Sequence, residues 1–397
     1  MSNLFSITKK DKLTKARLGL LRTPHGIVKT PSYVIVATHA EVKTLKPSDI
    51  KKAKIQIVIS NTYHLWEKAL KAKAKGLAHR ILKSNLPIMT DSGGFQVLSL
   101  AFGKRNKIGK FLVDKEAIQK KREYRREQIK ITEKGVEFSL DGKKKFLSPE
   151  ISMRLQNKIG GDIIFAFDDI TSPFDTYAYN KKALAHTHAW AKKCLKEHQG
   201  LQFGSKRKQY LFGIVQGGTY KDLRIKSAKC IGSLPFDGFG IGGSYTKKQI
   251  QKTLSWVLPH LPPEKPRHLL GVGKVEDIFE AVEQGVDLFD CVIPTREARH
   301  GRIYSHRGYY DIRKSKYVND DGRLSAGCKC PACSKNITKA KLQRLFKGKN
   351  GEAQRYATIH NVWFFNTLLE NIRKAIATNK LRGFKKKFLR SFNGKSP

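Results

Sequence analysis

The segment with the clearest chemical potential is Phe289-Asp290-Cys291-Val292-Ile293-Pro294-Thr295-Arg296. The mostly apolar residues 286–289 predict a strand that delivers the carboxylate of Asp290 to its end. We expect Pro294 to stop a helix from starting and to turn the chain away. Arg296 and Arg299 follow closely, and guanidinium groups bind phosphate through several donors. The pattern indicates carboxylate chemistry on a nucleic acid; the alternative is a strand-end aspartate that caps a loop beside surface arginines.

The overall charge also indicates a polyanionic partner. The 397-residue chain has 78 Lys and Arg against 33 Asp and Glu, a net charge of +45. A compositional bias of the source genome is an alternative explanation for part of the lysine excess. An acidic membrane is the weaker alternative, because no apolar stretch approaches the roughly 18 to 20 residues of a spanning helix. The first 15 residues are polar and basic without an apolar signal core, so we expect a cytoplasmic protein.

Short apolar runs alternate with helix-compatible segments along most of the chain, which predicts a parallel sheet buried on both faces. Residues 16–36 form a separate, short β-like region with turns at Thr23-Pro24-His25-Gly26 and Pro31. The apolar runs cover residues 55–60, 86–90, 162–167, 210–215, 236–241, 268–272 and 286–289. They end in Asn61-Thr62, Asp91-Ser92-Gly93-Gly94, Asp168-Asp169, Gln216-Gly217-Gly218, Gly242-Gly243-Ser244, Gly271-Val272-Gly273-Lys274 and Asp290. Polar groups at the carboxyl ends of successive strands are typical of the active site of a (β/α)8 TIM barrel.

The sequence divides into a barrel over residues 1–303 and a C-terminal unit over residues 304–397. A basic insertion at about residues 102–137 interrupts the barrel, and it is either an RNA contact or a solvated helix face. The C-terminal unit ends in a basic tail, in which Phe384, Phe388 and Phe392 recur every four residues. This spacing predicts a helix that packs one face on the body of the protein.

A metal site is predicted in the C-terminal unit. Cys328, Cys330 and Cys333 place three thiols within six residues, and one imidazole would complete a tetrahedral zinc set. Since four protein ligands leave no open position, one structural zinc ion is expected. On spacing alone His360, His300 and His306 all remain candidates for the fourth ligand. The other cysteines, Cys194, Cys230 and Cys291, are isolated, which favours metal ligation over a disulfide framework.

Several of these motifs occur together in one known family. Four motifs carry the resemblance, in this order: Asp91-Ser92-Gly93-Gly94-Phe95-Gln96, Gly213-Ile214-Val215-Gln216-Gly217, the Asp290 segment and the Cys-x-Cys-x-x-Cys…His360 set. On these motifs the chain resembles the tRNA-guanine transglycosylases, or queuine tRNA-ribosyltransferases, of bacterial type. The resemblance runs from about residue 15 to 376. It implies a (β/α)8 barrel with a zinc-binding subdomain, and a glycosyltransferase of queuosine biosynthesis that exchanges guanine 34, the wobble base of tRNAs with a G-U-N anticodon, for a 7-deazaguanine.

The resemblance also implies roles for individual residues. Asp290 would be the nucleophile that holds the ribose covalently, and Asp91 the general acid/base, so that two displacements retain the configuration at C1′. The implied base-binding residues are Asp91, Ser92, Gly93, Gly94, Phe95, Asp168, Gln216, Gly243 and Leu270. Phe95 and Leu270 would form the two faces of a base sandwich. The implied contacts to the anticodon loop are Gly271, Val272, Gly273, Lys274, Val275, Glu276, Asp277, Thr295, Arg296, Glu297, Ala298 and Arg299. Family members are similar in forming homodimers, so a homodimer is expected.

Two segments depart from the bacterial pattern. Bacterial members usually read Asp-Glu-Cys-Thr-Pro where this chain has Asp168-Asp169-Ile170-Thr171-Ser172-Pro173. Eukaryotic members, with Asp-Asp and an aliphatic residue, are more similar there. Ser244-Tyr245-Thr246-Lys247-Lys248 lacks the glutamate that usually follows Gly-Gly-Leu. The loss of that acid weakens the case for a small cationic aminomethyl base, so both preQ1 and queuine remain open as the incoming base.

Three other functions are alternatives to this one. An archaeal-type transglycosylase that modifies the D-arm needs C-terminal RNA-binding domains, for which this chain has no room. A non-catalytic RNA-binding partner subunit would be marked by loss of an aspartate, yet Asp91 and Asp290 are both present in intact motifs. A generic basic zinc protein that binds RNA leaves the row of strand-end carboxylates unexplained.

Overall fold

The computed structural model describes residues 4–101, 129–140, 143–171, 175–205, 208–243 and 249–394, with side chains described throughout except at 98–101 and 140. The strands in these ranges are β1 Phe5–Lys10, β2 Arg17–Thr23, β3 Gly26–Thr30, β4 Ser32–Val36, β5 Val58–Ser60, β6 Ile88–Thr90, β7 Ile129–Thr132, β8 Gly135–Leu140, β9 Lys143–Leu147, β10 Ile163–Phe165, β11 Tyr210–Val215, β12 Gly238–Ile241, β13 Arg267–Leu269, β14 Leu288–Cys291, β15 Arg302–Ser305 and β16 Gly308–Asp311.

The helices of the same ranges alternate with the barrel strands and then continue past them. They are α1 Pro47–Lys52, α2 Thr62–Lys71, α3 Leu77–Leu82, α4 Gly94–Ala101, α5 Pro149–Ile159, α6 Tyr177–Gln202, α7 Lys221–Gly232, α8 Gln249–Val257, α9 Val275–Glu283, α10 Ile293–Arg299, α11 Pro331–Ser334, α12 Lys339–Lys347, α13 Gly351–Ala377 and α14 Leu381–Phe392. Two short 3₁₀ helices lie at Leu258–His260 and Ser315–Tyr317.

Eight strands form the closed barrel that the sequence predicts. In order they are β4, β5, β6, β10, β11, β12, β13 and β14, all parallel, and β14 pairs with β4 to close the ring. The sequence reading placed residues 32–36 with the N-terminal β-like region, but β4 is the first barrel strand. Its run Tyr33-Val34-Ile35 is wholly buried, as a parallel barrel strand requires.

The N-terminal sheet closes the amino end of the barrel. β1, β2 and β3 pair in antiparallel order, and their apolar residues Phe5, Leu21 and Val28 share a core with the inward-facing Phe165 and Phe212. Arg17 of β2 also forms a buried ion pair with Asp287, the residue before β14, at 2.6 Å. With this end closed, the carboxyl end is the open mouth of the barrel.

The C-terminal region is organised by the 27-residue helix α13, which packs on β4 and α10. Its neighbours α11, α12 and β15 contribute to a third apolar cluster with the metal-binding residues. The helix predicted in the tail is confirmed as α14, where Phe384 and Phe388 pack on Phe279 of α9. Most of the predicted basic insertion, residues 102–128, lies outside the described residues; its final part forms β7 and the start of β8.

The expectation for Pro294 is wrong. Helix α10 starts at Ile293, and Pro294 occupies its first turn and is buried. A first-turn proline has a φ angle already suited to the helix, and the N–H it lacks has no intrahelical acceptor there, so Pro294 is compatible with a helix start.

Candidate active site

The polar residues that end the barrel strands come together around one cavity of about 510 Å³ at the carboxyl mouth. Asp91 follows β6, Asp168 follows β10, Gln216 follows β11, and Asp290 lies within β14. All four line the cavity, with Ser92, Phe95, Gly243, Leu270, Gly271 and Arg296 among the other predicted residues. Parallel strands bring these side chains together because their carboxyl ends meet at the same rim.

Asp91 is held by the loop that follows β5. Its Oδ2 accepts a hydrogen bond from Asn61 Nδ2 at 2.6 Å, and its Oδ1 accepts from the backbone N–H groups of Thr62 and Gly93 at 3.0 and 3.1 Å. Burial raises the pKa of this carboxyl from 3.8 to about 7, and the nearby charges of Asp290 and Asp168 act in the same direction. Asp91 therefore exchanges a proton close to neutral pH.

Asp168 is a second carboxyl with a raised pKa. Only 3 % of it is exposed, and burial raises its pKa to about 7 although Gln216 donates to its Oδ2 at 2.7 Å. The neighbouring charge of Asp169 adds to the shift. Below neutral pH the Asp168 carboxyl can therefore donate a hydrogen bond, while Gln216 offers both an amide donor and a carbonyl acceptor. The pair can read the edge of a polar heterocycle.

Asp290 has a different environment. Two donors converge on its Oδ1: His268 Nε2 at 2.8 Å and the backbone N–H of Gly271 at 3.2 Å. Its side chain is 17 % exposed, whereas His268 is wholly buried. Two donors therefore converge on one oxygen of the Asp290 carboxylate, whereas burial raises the pKa of both Asp91 and Asp168.

The predicted apolar and glycine residues lie in or beside the cavity wall. Phe95 is 43 % exposed at its wall, and Leu270 lies after β13. Gly93 has a φ of +83°, a conformation that glycine adopts without strain, and its N–H reaches Asp91. Gly94 starts helix α4 and is a neighbour of the cavity without lining it.

Arg224, which the sequence analysis did not single out, packs against Gly243 and supports its loop. The guanidinium is wholly buried and donates to the carbonyl oxygens of Val215, Gly218 and Gly242. A Cβ on Gly243 would collide with Nη2 of Arg224, and Gly243 has a φ of +123°. Arg224 thus ties together the two strand-end loops that carry Gln216 and Gly243.

The residues predicted to contact RNA separate into two groups. Arg296 is exposed and lines the cavity, and Gly271 lies at its rim. The segments beside it carry the partly or fully exposed Lys274, Glu276, Glu297 and Arg299 and the buried Gly273. The side chains of Val272, Val275, Asp277, Thr295 and Ala298 are at most 9 % exposed, so RNA contacts at these five positions would have to come from the backbone. Glu297 is already engaged by Arg302 and the hydroxyl of Tyr304.

Cys328, Cys330, Cys333 and His360 form a group that can hold a metal ion. The Nδ1 atom of His360 lies 3.7, 3.4 and 3.8 Å from the three sulfur atoms. Zinc bonds of about 2.3 Å to sulfur and 2.0 to 2.1 Å to nitrogen give a tetrahedral edge of about 3.6 Å, so the donor set fits zinc. His360 Nε2 donates to the carbonyl oxygen of Tyr304 at 2.8 Å, which leaves Nδ1 free to ligate. The structure brings His360 to the thiols, and neither His300 nor His306 belongs to this group.

A second group of possible ligands, His25, His79 and Asp162, lies at the closed end of the barrel. His25 Nδ1 is 2.6 Å from Asp162 Oδ1, and the two imidazole rings stack with centroids 3.7 Å apart. These are the dimensions of a hydrogen bond and a ring stack. We interpret the group as a clamp between the β2–β3 turn, α3 and β10.

Two further site residues were missed as functional, although the sequence carried a signal for both. Asn61 was noted only as a strand-end polar residue, yet it binds the Asp91 carboxylate directly. His268 lies in an apolar strand, where a histidine needs a polar partner when it is buried. Arg224 carried no such signal, because it lies among Lys221, Lys226 and Lys229 of one helix.

The barrel and its carboxyl-end carboxylates define a TIM-barrel enzyme. The family model "Queuine tRNA-ribosyltransferase" matches residues 11–394. A queuine tRNA-ribosyltransferase of Caldanaerobacter subterraneus subsp. tengcongensis is 40 % identical over 98 % of both chains, and one of Halothermothrix orenii is 38 % identical over 100 % of both. A putative queuine tRNA-ribosyltransferase of Archaeoglobus fulgidus is 38 % identical over 96 % of this chain and 98 % of its own.

The chain therefore belongs to the queuine tRNA-ribosyltransferase family, and it is an enzyme of the tRNA-guanine transglycosylase class. This confirms the family and the class of enzyme that the sequence motifs predicted. No helix within the described ranges is long and apolar enough to cross a membrane.

Proposed function

We propose that this enzyme exchanges guanine 34 of tRNAs with a G-U-N anticodon for a 7-deazaguanine, preQ1 or queuine, by double displacement. Asp290 attacks C1′ of the ribose as the bond from C1′ to guanine breaks, and the departing base takes a proton from Asp91. The resulting ester between Asp290 and the ribose is then displaced by the incoming base, which gives its proton to Asp91. The RNA backbone stays intact, and both inversions at C1′ together retain configuration.

The observation that carries the proposal is the contrast between the two carboxyl groups on one cavity. A nucleophile must be ionised, and Asp290 accepts two hydrogen bonds on one oxygen. An acid/base must give and take a proton near the working pH, and the pKa of Asp91 is raised to about 7. Two carboxyls in different hydrogen-bonding environments on one cavity are typical of glycosyl-transfer sites.

The remaining cavity residues suit a flat purine-like base. We assign Asp168 and Gln216 to the polar edge of the base, Gly243 to backbone hydrogen bonds, and Phe95 and Leu270 to its two faces. Ser92 lines the cavity, and we assign Gly93 and Gly94 to a close approach of the backbone to the flat ring. Ile170, one of the two departures from the bacterial pattern, lines the cavity, whereas residues 244–248 lie outside the described part of the chain. The choice between preQ1 and queuine therefore rests on experiment.

The tRNA would approach across the segments 271–277 and 295–299 at the rim. Arg296 is exposed where it lines the cavity, and the net charge of +45 favours binding of the RNA backbone. The wobble base lies in an unpaired loop, so its extrusion into the cavity costs little base pairing.

We assign one structural zinc ion to Cys328, Cys330, Cys333 and His360. The metal would fix α11 to α13, and α13 packs on α10, which carries Arg296 and Arg299. Residues 304–397 would then form the zinc-binding unit and residues 1–303 the barrel with its insertion. A homodimer is the assembly that we propose.

The test is base exchange on a G-U-N tRNA that carries labelled guanine at position 34, with preQ1 and queuine offered separately. The parent should release label, and Asp290→Asn should release none and form no covalent tRNA adduct. Asp91→Asn should lose most activity. The surface variant Asp321→Asn is the matched control and should exchange as the parent does. Tight tRNA binding without release by the parent would instead indicate the non-catalytic partner subunit.

A further inference from the structure

His268 and Asp290 lie on neighbouring strands of the barrel, β13 and β14. In the parallel ladder His268 of β13 pairs with Leu288 of β14, and Asp290 is two residues further along the same strand. Residues two apart on a strand point to the same face, so His268 and Asp290 both point into the barrel. The result is the hydrogen bond of 2.8 Å between His268 Nε2 and Asp290 Oδ1.

The surroundings of His268 indicate which ring nitrogen carries the hydrogen that it donates. The ring is wholly buried, Phe165 packs against it edge-to-face, and Nδ1 has no hydrogen-bond partner in the described structure. A proton on Nδ1 would leave a buried donor without an acceptor, which is costly. The neutral tautomer with the proton on Nε2 avoids that cost and donates to Asp290.

We propose that His268 is a positioning residue for the nucleophile: as a neutral donor it fixes Asp290 Oδ1 and leaves Oδ2 as the attacking oxygen. This proposal rests on the proposed function. Gly271 N–H binds the same Oδ1, and among the described residues no donor reaches Oδ2. Both hydrogen bonds therefore fall on one oxygen of a side chain that lines the cavity, and the other oxygen is left for the attack.

A neutral donor suits both stages of the reaction better than a cation does. Before attack it favours the ionised carboxylate without neutralising it. After attack Asp290 is an uncharged ester, and an imidazolium would then be a buried charge without a counter-ion, which is strongly unfavourable. The neutral imidazole keeps its bond to Oδ1, now the carbonyl oxygen of the ester, and holds the ester in place for the second displacement.

The three variants differ in whether the new side chain carries a hydrogen-bond donor at the position of His268 Nε2. His268→Gln places an amide donor near the position of Nε2, His268→Asn is polar but too short, and His268→Phe keeps the ring volume without a donor. We expect kcat for label release to fall about 10- to 100-fold in the Asn and Phe variants, as for loss of one hydrogen bond to a charged group. In these two variants KM for tRNA should change by less than about threefold. The Gln variant should recover to within about tenfold of the parent.

The pH profile separates positioning from mere packing. Without the donor the carboxylate form of Asp290 is less favoured, so the acidic limb of kcat/KM should move to higher pH in the Phe and Asn variants and return in the Gln variant. Equal kcat and an unmoved acidic limb in all three variants would overturn the proposal, as would a Gln variant as impaired as the Phe variant. If the parent itself exchanges no base, the proposed function fails; an active parent with an inactive Asp290→Asn and indifferent His268 variants refutes only this inference.

Discussion

Replacing Asp168 with asparagine should stabilise the protein, and the gain should grow with pH. The pKa of this buried carboxyl is raised from 3.8 to about 7 in the folded protein, chiefly by burial. Between the unfolded pKa of 3.8 and the folded pKa of about 7, the unfolded chain is ionised at this position while the folded chain stays protonated. The free energy of unfolding of the parent therefore falls as the pH rises through this interval. Above about pH 7 the parent therefore carries a penalty that the neutral, isosteric asparagine lacks.

The magnitude follows from the pH interval. Between pH 5 and pH 7 the unfolded chain is ionised at this position and the folded chain is mostly protonated, which costs the parent about 1.4 kcal/mol per pH unit. The penalty levels off above pH 7. From pH 5 to pH 8 the free energy of unfolding of Asp168→Asn should thus gain about 2 to 3 kcal/mol relative to the parent.

The measurement is urea unfolding of parent and variant at pH 5 and pH 8, compared as a difference so that shared titrations cancel. Asp321→Asn serves as the control, because its carboxylate is exposed and its removal should leave the difference unchanged with pH. A variant-minus-parent difference that is the same at both pH values would refute the assignment of Asp168 as a carboxyl that resists ionisation. Such a result would also remove the basis for a protonated partner at the base edge.

Three further outcomes are expected. Arg224→Lys replaces a guanidinium that donates to three carbonyl oxygens with one buried ammonium. The free energy of unfolding should fall by about 2 to 4 kcal/mol, and the affinity for the base should weaken in an isothermal titration. Unchanged affinity would contradict the positioning of Gly243 by Arg224. Cys330→Ser should lose the bound zinc and have a lower melting temperature than the parent. The control Cys230→Ser should retain one equivalent of zinc by atomic absorption. A zinc-free parent would exclude the site. Arg296→Ala should weaken tRNA binding and reduce the slope of log K against log salt by about one, and an unchanged slope would remove Arg296 from the phosphate contacts.

The sequence by itself determined the elements that depend on local pattern. Apolar runs of strand length followed by carboxylates, amides and glycines gave seven barrel strands, with Asp91, Asp168, Gln216 and Asp290 at their ends, because strand period and turn chemistry are local properties. The three cysteines predicted the metal loop for the same reason. The phenylalanines of the tail predicted α14 from their helical spacing.

Only the tertiary structure decided which distant groups meet. The choice of His360 over His300 and His306 depends on the packing of α13 against the cysteine loop, and the first barrel strand, β4, became evident only through its pairing with β14. Burial likewise distinguished Arg296 from Ala298 within one short helix. Three features of the site depend on contacts between separate strands and helices. They are the raised pKa values of Asp91 and Asp168, the hydrogen bond from His268 to one oxygen of Asp290, and the support of Gly243 by Arg224. Desolvation and hydrogen-bond geometry are properties of the packed barrel, and no spacing along the chain specifies them.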